Sequence, residues 1–191
     1  VEGDVTMDDT GIHISGLEYI DGWSDLHADN FELGFTDFSD FSDFVNKVRL
    51  SGTFRNTFFD ARTLQYYAGM NEIPAGLWID GKAEGTVNDL KSDGLRVRSE
   101  SKGTDMDLRF HLKDITDPAR SRISAEILRS STSTADLANI ISAVSPGFKR
   151  SSITGIAHGE TISLRAKAEG PLDDLKVTGH LGTGTMGSAT F

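Results

Sequence analysis

The feature that most constrains this chain is a two-residue alternation of apolar and charged side chains that returns along most of its length. Met106, Leu108, Phe110 and Leu112 alternate with Asp105, Asp107, Arg109, His111 and Lys113. Leu77, Ile79, Gly81, Ala83, Gly85 and Val87 alternate with Trp78, Asp80, Lys82, Glu84 and Thr86. Ile162, Leu164, Ala166, Ala168 and Gly170 do the same against Thr161, Ser163, Arg165, Lys167 and Glu169. Side chains on a strand point to opposite faces in turn, so each stretch predicts a strand with one dry and one wet face. Shorter versions at Ile12/Ile14, Val48/Leu50/Gly52/Phe54, Leu95/Val97, Ile123/Ala125/Ile127, Ile153/Gly155/Ala157 and Leu175/Val177 raise the expected number to ten or more. One wet face marks antiparallel sheet and argues against an all-parallel α/β fold, whose strands are buried on both sides.

Turn residues fall between these stretches at hairpin distances, among them Asn88-Asp89, Ser92-Asp93-Gly94, Lys102-Gly103, Asp117-Pro118 and Asp173-Asp174. Helical patterns are few. Residues 135–144 read as one short amphipathic helix, capped by Ser133 or Thr134 and stopped by Pro146-Gly147. Residues 63–68 give a weaker second. Phe35, Phe38, Phe41 and Phe44 recur every third residue, which predicts a helical turn laid by its aromatic stripe on the sheet. The interleaved Asp37, Asp40 and Asp43 lack the Gly and terminal Glu of a calcium loop and are expected to form a solvated face.

An internal repeat lies beneath the alternation. Lys82-Ala83-Glu84-Gly85-Thr86-Val87-Asn88-Asp89-Leu90-Lys91 returns 85 residues later as Lys167-Ala168-Glu169-Gly170-Pro171-Leu172-Asp173-Asp174-Leu175-Lys176, and Gly94 and Gly179 follow at the same offset. We read two copies of one supersecondary unit, around 48–115 and 121–182, within a single elongated β region spanning 1–191. Small residues before the turn let a sheet curl or another backbone approach, so the motif is architectural.

Reactive chemistry is sparse. The chain carries no Cys, which removes thiolate zinc sites, disulfides and cysteine nucleophiles. Its 19 Lys and Arg against 29 Asp and Glu give a net charge of −10, opposed to nucleic-acid binding. Gly182-Thr183-Gly184-Thr185-Met186-Gly187 satisfies G-x-G-x-x-G, but a dinucleotide site needs a helix opening there and an acidic residue about 20 positions on. A Gly-rich turn accounts for it better. The five histidines, His13, His27, His111, His158 and His180, are scattered singly. His27 with Asp25 and Asp29 fits outward polar positions on a strand. We therefore expect no enzyme, no cofactor and no metal. Trp23, Trp78, Tyr66 and Tyr67 could offer a stacking platform, and Trp78 lies on the polar side of its strand.

One succession carries a family resemblance. Residues Phe41 to Thr57 (FSDFVNKVRLSGTFRNT), then Leu64-Gln65-Tyr66-Tyr67-Ala68, then Asp80 to Leu90 with its G-x-x-x-G-T-V-N-D-L step, resemble the AsmA-like family, in particular its translocation and assembly module (TamB) branch. Ser133 to Leu137 and Gly170 to Leu175 fit the same pattern. The resemblance implies an internal segment of a longer periplasmic protein, anchored in the inner membrane elsewhere in its chain. It implies a non-enzymatic role in outer-membrane biogenesis, chiefly the movement of phospholipid between inner and outer membrane, with an outer-membrane barrel as a further partner. The first residue, Val1, with no basic and apolar leader after it, fits an excerpt of a longer protein.

The expected fold is accordingly mainly β: a curved antiparallel sheet forming a taco-like groove or a partly open barrel, with two or three short helices. Groove-lining candidates are Leu77, Ile79, Val87, Leu95, Val97, Met106, Leu108, Phe110, Leu112, Ile123, Ile127, Ile162 and Leu164. From alternation alone a closed core fits these residues as well as an open trough does, and the resemblance favours the trough. The competing function is a secreted or periplasmic β-sandwich that binds carbohydrate through Trp78 or Trp23.

Overall fold

A computed structural model of the chain describes residues 1–60, 62, 76–115, 117, 120–138, 161–171, 173–184 and 187–190. Among them run eleven strands: β1 (Glu2–Asp8), β2 (Gly11–Ile20), β3 (Asp25–Gly34), β4 (Arg49–Phe59), β5 (Leu77–Thr86), β6 (Asp89–Ser99), β7 (Thr104–Lys113), β8 (Arg122–Ser133), β9 (Thr161–Gly170), β10 (Lys176–Thr183) and β11 (Gly187–Thr190). They form one antiparallel sheet in strictly sequential order, and it does not close into a barrel. The mainly β reading is correct: the sheet is one antiparallel meander that is not closed. A β-sandwich is not the architecture, since every described strand belongs to this one sheet. The helix expected at 63–68, the strand expected at Ile153–Ala157 and His158 lie outside the described residues.

Short connections are fixed by carboxylates. Asp8 accepts from the Thr10 amide (2.7 Å) and the Gly11 amide (3.2 Å) between β1 and β2, and Asp21 accepts from the Trp23 and Ser24 amides (2.8 and 2.7 Å) between β2 and β3. A short acceptor side chain that binds the amides two and three residues on replaces backbone partners at a turn. At the G-x-G-x-x-G stretch, Gly182 and Thr183 of β10 pair with Ser188 and Gly187 of β11.

The ladders slip at β4, β6 and β8, every second strand of the centre. Shifts fall between Phe54 and Thr57, between Ser92 and Leu95, and between Ile127 and Thr132. An extra residue bends a strand, increases its twist and removes ladder bonds. At each slip a hydroxyl supplies a bond to a neighbouring strand. Thr57 Oγ1 donates to the His27 carbonyl (2.7 Å) and accepts from the His27 amide (3.0 Å); Ser92 Oγ donates to the Lys82 carbonyl (2.6 Å); Ser130 Oγ accepts from the Leu164 amide (3.0 Å). All three residues are buried, at 0%, 2% and 6% exposure. These bulges lie side by side across the sheet, so the bends add along one transverse line.

The repeat is structural as well as sequential. Gly85 and Gly170 both have left-handed φ, 126° and 130°, and a Cβ on either would strike the carbonyl oxygen of the residue four further on, Asp89 or Asp174. Gly85 pairs with Leu50, the second residue of β4, and Gly170 with Ile123, the second residue of β8. Phe54 and Ile127, each just before its bulge, are the sixth residues of those strands. The copies differ at the turn. In the first, Thr86 pairs with Asp89 across Val87-Asn88, one residue earlier than expected from sequence. In the second Pro171 stands where Thr86 does and lacks the amide, and the ladder ends at Glu169–Lys176.

The phenylalanine run becomes a 3-10 helix (Phe38–Asp43) leading into α1 (Phe44–Lys47). A spacing of three is the 3-10 period, which stacks the stripe on itself. Phe35 lies 4.9 Å from Phe38 and 5.3 Å from Phe41, Phe35 is buried and Phe38 is 60% exposed. The aspartates are not a simple solvated face. Asp37 caps the helix at the Ser39 amide (2.8 Å), and buried Asp40 accepts from the Thr36 and Asp37 amides (2.9 and 3.2 Å).

A second helix begins at 134 with Ser133 as its cap, its Oγ accepting from the Asp136 amide (3.2 Å); residues beyond 138 lie outside the described set. Asp136 is held at the β6–β7 end by Ser99 Oγ (2.6 Å), Ser101 Oγ (2.8 Å) and Thr104 Oγ1 (3.0 Å), all donating.

Candidate functional site

The register gathers the expected lining residues on one face. Ile79 faces Val97, which faces Met106. Leu95, Leu108, Ile127, Ala166 and Gly179 form the next row across β6 to β10. Phe110, Ala125, Ala168 and Val177 form another, and Leu112 faces Ile123. Leu77 lies opposite Ser99, Ile162 opposite Thr132, and Leu164 opposite Leu181. Val87 is the exception, since it occupies the β5–β6 turn and not a strand. Alternation carried one residue past Thr86 placed it on the face, and the two-residue turn removes it.

The face also extends beyond the lining candidates, onto strands that the sequence marked only in fragments. Met7, Ile12, Leu33 and Leu50 line up across β1 to β4, and Leu50 pairs with Gly85. Val5, Ile14 and Phe31 make the adjacent row, followed by Leu17, Ala28 and Phe54. Between Ile14 and Leu17 the period skips at Gly16, whose φ is 61°, and between Phe54 and Thr57 it skips at Asn56, whose φ is 51°. These skips hide the rows from a two-residue template. A doubled step ending on Thr or Ser at an inward position is the signal that would have exposed them.

Burial across the face is shallow. Of the thirteen candidates only Val97 and Ile162 are buried, and the other eleven are half-buried. Toward the edges the face is open, with Val5 and Met7 63% and 61% exposed on β1 and Val177 47% exposed on β10. Hydroxyls are interspersed, but the buried ones at the bulges are spent on backbone partners.

The opposite face is a lattice of cross-strand ion pairs. Arg98 reaches Asp80 (2.8 Å), Arg96 grips Asp105 through two bonds (2.8 and 2.6 Å), Arg129 meets Asp107 (2.8 Å), and Arg109 meets Glu126. Glu84 sits between Lys82 (2.7 Å) and Lys91 (3.1 Å), whose hydrogen bonds hold its carboxyl down at about 2. The Arg96 guanidinium likewise lowers Asp105. Exposed pairs stabilise little, but they keep this face in water and leave the apolar one for contact.

No group of three or more His, Asp or Glu among the described residues is placed to hold a metal ion. No helix of the described residues is long and apolar enough to cross a membrane. A comparison with protein-family models finds no match, and searches of the curated proteins and of the solved structures find none either.

Proposed function

We propose that the apolar face is a trough for phospholipid acyl chains in a non-enzymatic, periplasmic envelope-biogenesis protein that moves lipid between inner and outer membrane. The observation that carries this reading is a dry face continuous across the sheet whose side chains remain half-buried, as a surface that takes a ligand does and a packed core does not. The AsmA-like resemblance supports the same role and supplies the compartment.

Energetics favour such a surface. Exposing a chain of roughly fifteen methylenes to water costs on the order of 12 kcal/mol at about 0.8 kcal/mol each. Eleven strands at about 4.8 Å spacing give a face about 48 Å long, exceeding the roughly 30 Å hydrocarbon core of a bilayer. Small residues at Gly81, Ala83, Ala125, Ala166, Ala168 and Gly179 leave depth along the middle of the sheet.

Binding of a pyrene-labelled phosphatidylcholine to the purified chain tests the reading. Saturable binding that Leu108→Glu abolishes and the outward Arg165→Glu leaves intact is the expected result. Binding insensitive to Leu108→Glu, or none, removes the proposal.

A further inference from the structure

On the polar side of β5 to β7 the structure holds a depression. It measures about 410 Å³ and is lined by Asn56, Trp78, Arg98, Lys102, Thr104 and Asp105. Three separate features build it. Trp78 projects outward from β5 and is propped by Phe58 on β4, ring centres 4.9 Å apart. The β4 bulge puts Asn56 in left-handed φ, fixed by its amide on Asp80 (2.7 Å), so that its side chain stands over the face. The β6–β7 turn lifts Lys102, also at left-handed φ (59°), with its amide on the Ser99 carbonyl (3.0 Å).

The polar groups present more donors than acceptors. Asn56 Oδ1 already accepts from Arg98 Nη2 (3.3 Å), which leaves the Asn56 amide group to donate. Lys102 is exposed and makes none of the ion pairs found among the described residues. Both Asp105 oxygens take Arg96, Asp80 takes Arg98, and Thr104 Oγ1 donates to Asp136. Glu100 on the same turn reaches back to the Gly76 amide (3.3 Å). Arg98 and Arg96 are thus neutralised by Asp80 and Asp105, and Glu100 and Asp136 are turned to the Gly76 amide and to the hydroxyls of Ser99, Ser101 and Thr104, which leaves the Lys102 ammonium as the free charge at the rim.

We infer that this depression binds an acidic saccharide, its ring stacked on Trp78, its carboxylate on Lys102 and its hydroxyl or ring oxygens on the Asn56 amide. A flat apolar ring with convergent donors is the lining that holds an amphipathic, acceptor-rich ring. A sugar ring uses the Asn56 donor and the indole face together. The site is independent of the trough, and its failure leaves the lipid reading untouched.

Calorimetric titration of the purified chain with a trimer of galacturonic acid and with the neutral galactose trimer tests this. The acidic trimer is expected to bind at least about tenfold more tightly than the neutral one. Lys102→Gln, at an exposed turn, should remove that preference, and Trp78→Ala should weaken the acidic trimer by about tenfold or more. Absence of saturable heat with the acidic trimer overturns the inference. So does equal binding of the two trimers, or an undiminished preference in Lys102→Gln, which stays informative if Trp78→Ala does not fold.

Discussion

Single residues decide how this sheet bends. Thr57, Ser92 and Ser130 each stand beside a bulge and give one hydroxyl to a backbone group that the slipped ladder leaves behind. Replacing Ser92 by Ala, or Thr57 by Val, strands a buried carbonyl, at a cost of about 1–3 kcal/mol each. Urea unfolding should show this as a lower midpoint with an unchanged slope, whereas Ser124→Ala, exposed on β8, should leave the midpoint in place. Glu84 provides the residue-scale dependence on pH. Its carboxyl lies at about 2 in the fold against an ordinary 4.5, because Lys82 and Lys91 bond it. The stability it adds is therefore complete above about 4.5 and is lost as pH falls from there toward 2. The midpoints of wild type and Glu84→Gln should differ at pH 7 and converge at pH 2; a gap of constant size across that range contradicts the pairing.

At the scale of elements, legibility in sequence depended on whether a strand runs unbroken. β5, β7 and β9 alternate along their length, and their inward residues, Leu77 and Ile79, Met106 to Leu112, Ile162 and Leu164, lie where the period put them. Strands with a skip were read as fragments, because Gly16, Asn56 and the Asp93-Gly94 pair each shift the phase by one and flip the residues that follow. Val87 shows the converse error, a period carried into a turn. The phenylalanine run revealed its period but not its partner, since spacing alone cannot distinguish packing on a sheet from packing on itself. Asp136 was invisible for a different reason: its three hydroxyl donors come from residues more than thirty positions earlier. Asp136→Ala should leave the hydroxyls of Ser99 and Thr104 without their acceptor and cost about 3 kcal/mol. Hydrogen exchange should then rise at the β6–β7 turn before it rises at β2 and β3. The repeat makes a further test possible, because Pro171 alone lacks an amide where Thr86 pairs. Pro171→Thr should extend the β9–β10 ladder from Glu169–Lys176 to the pair of residues 171 and 174, as Thr86 pairs with Asp89 in the first copy, seen as new protection at the residue 171 amide.

Over the whole molecule the design is an open meander, dry on one side and ionic on the other, with bulges aligned across its centre. The charge of −10 arises in residues 1–60, which hold 13 Asp and Glu against 3 Lys and Arg, whereas the ion-pair lattice of β5 to β8 is balanced, and what is left apolar is a face too shallowly covered to be an ordinary core. The central claim is that this face meets acyl chains. Site-specific photocrosslinking in cells tests it most directly, with a photoreactive residue at Leu108 or Leu164 on the inner face and at Arg109 or Arg165 on the outer. The account predicts phospholipid recovered by mass spectrometry from the two inner positions and not from the two outer ones. Equal recovery from both faces, or none from Leu108 and Leu164, would contradict it.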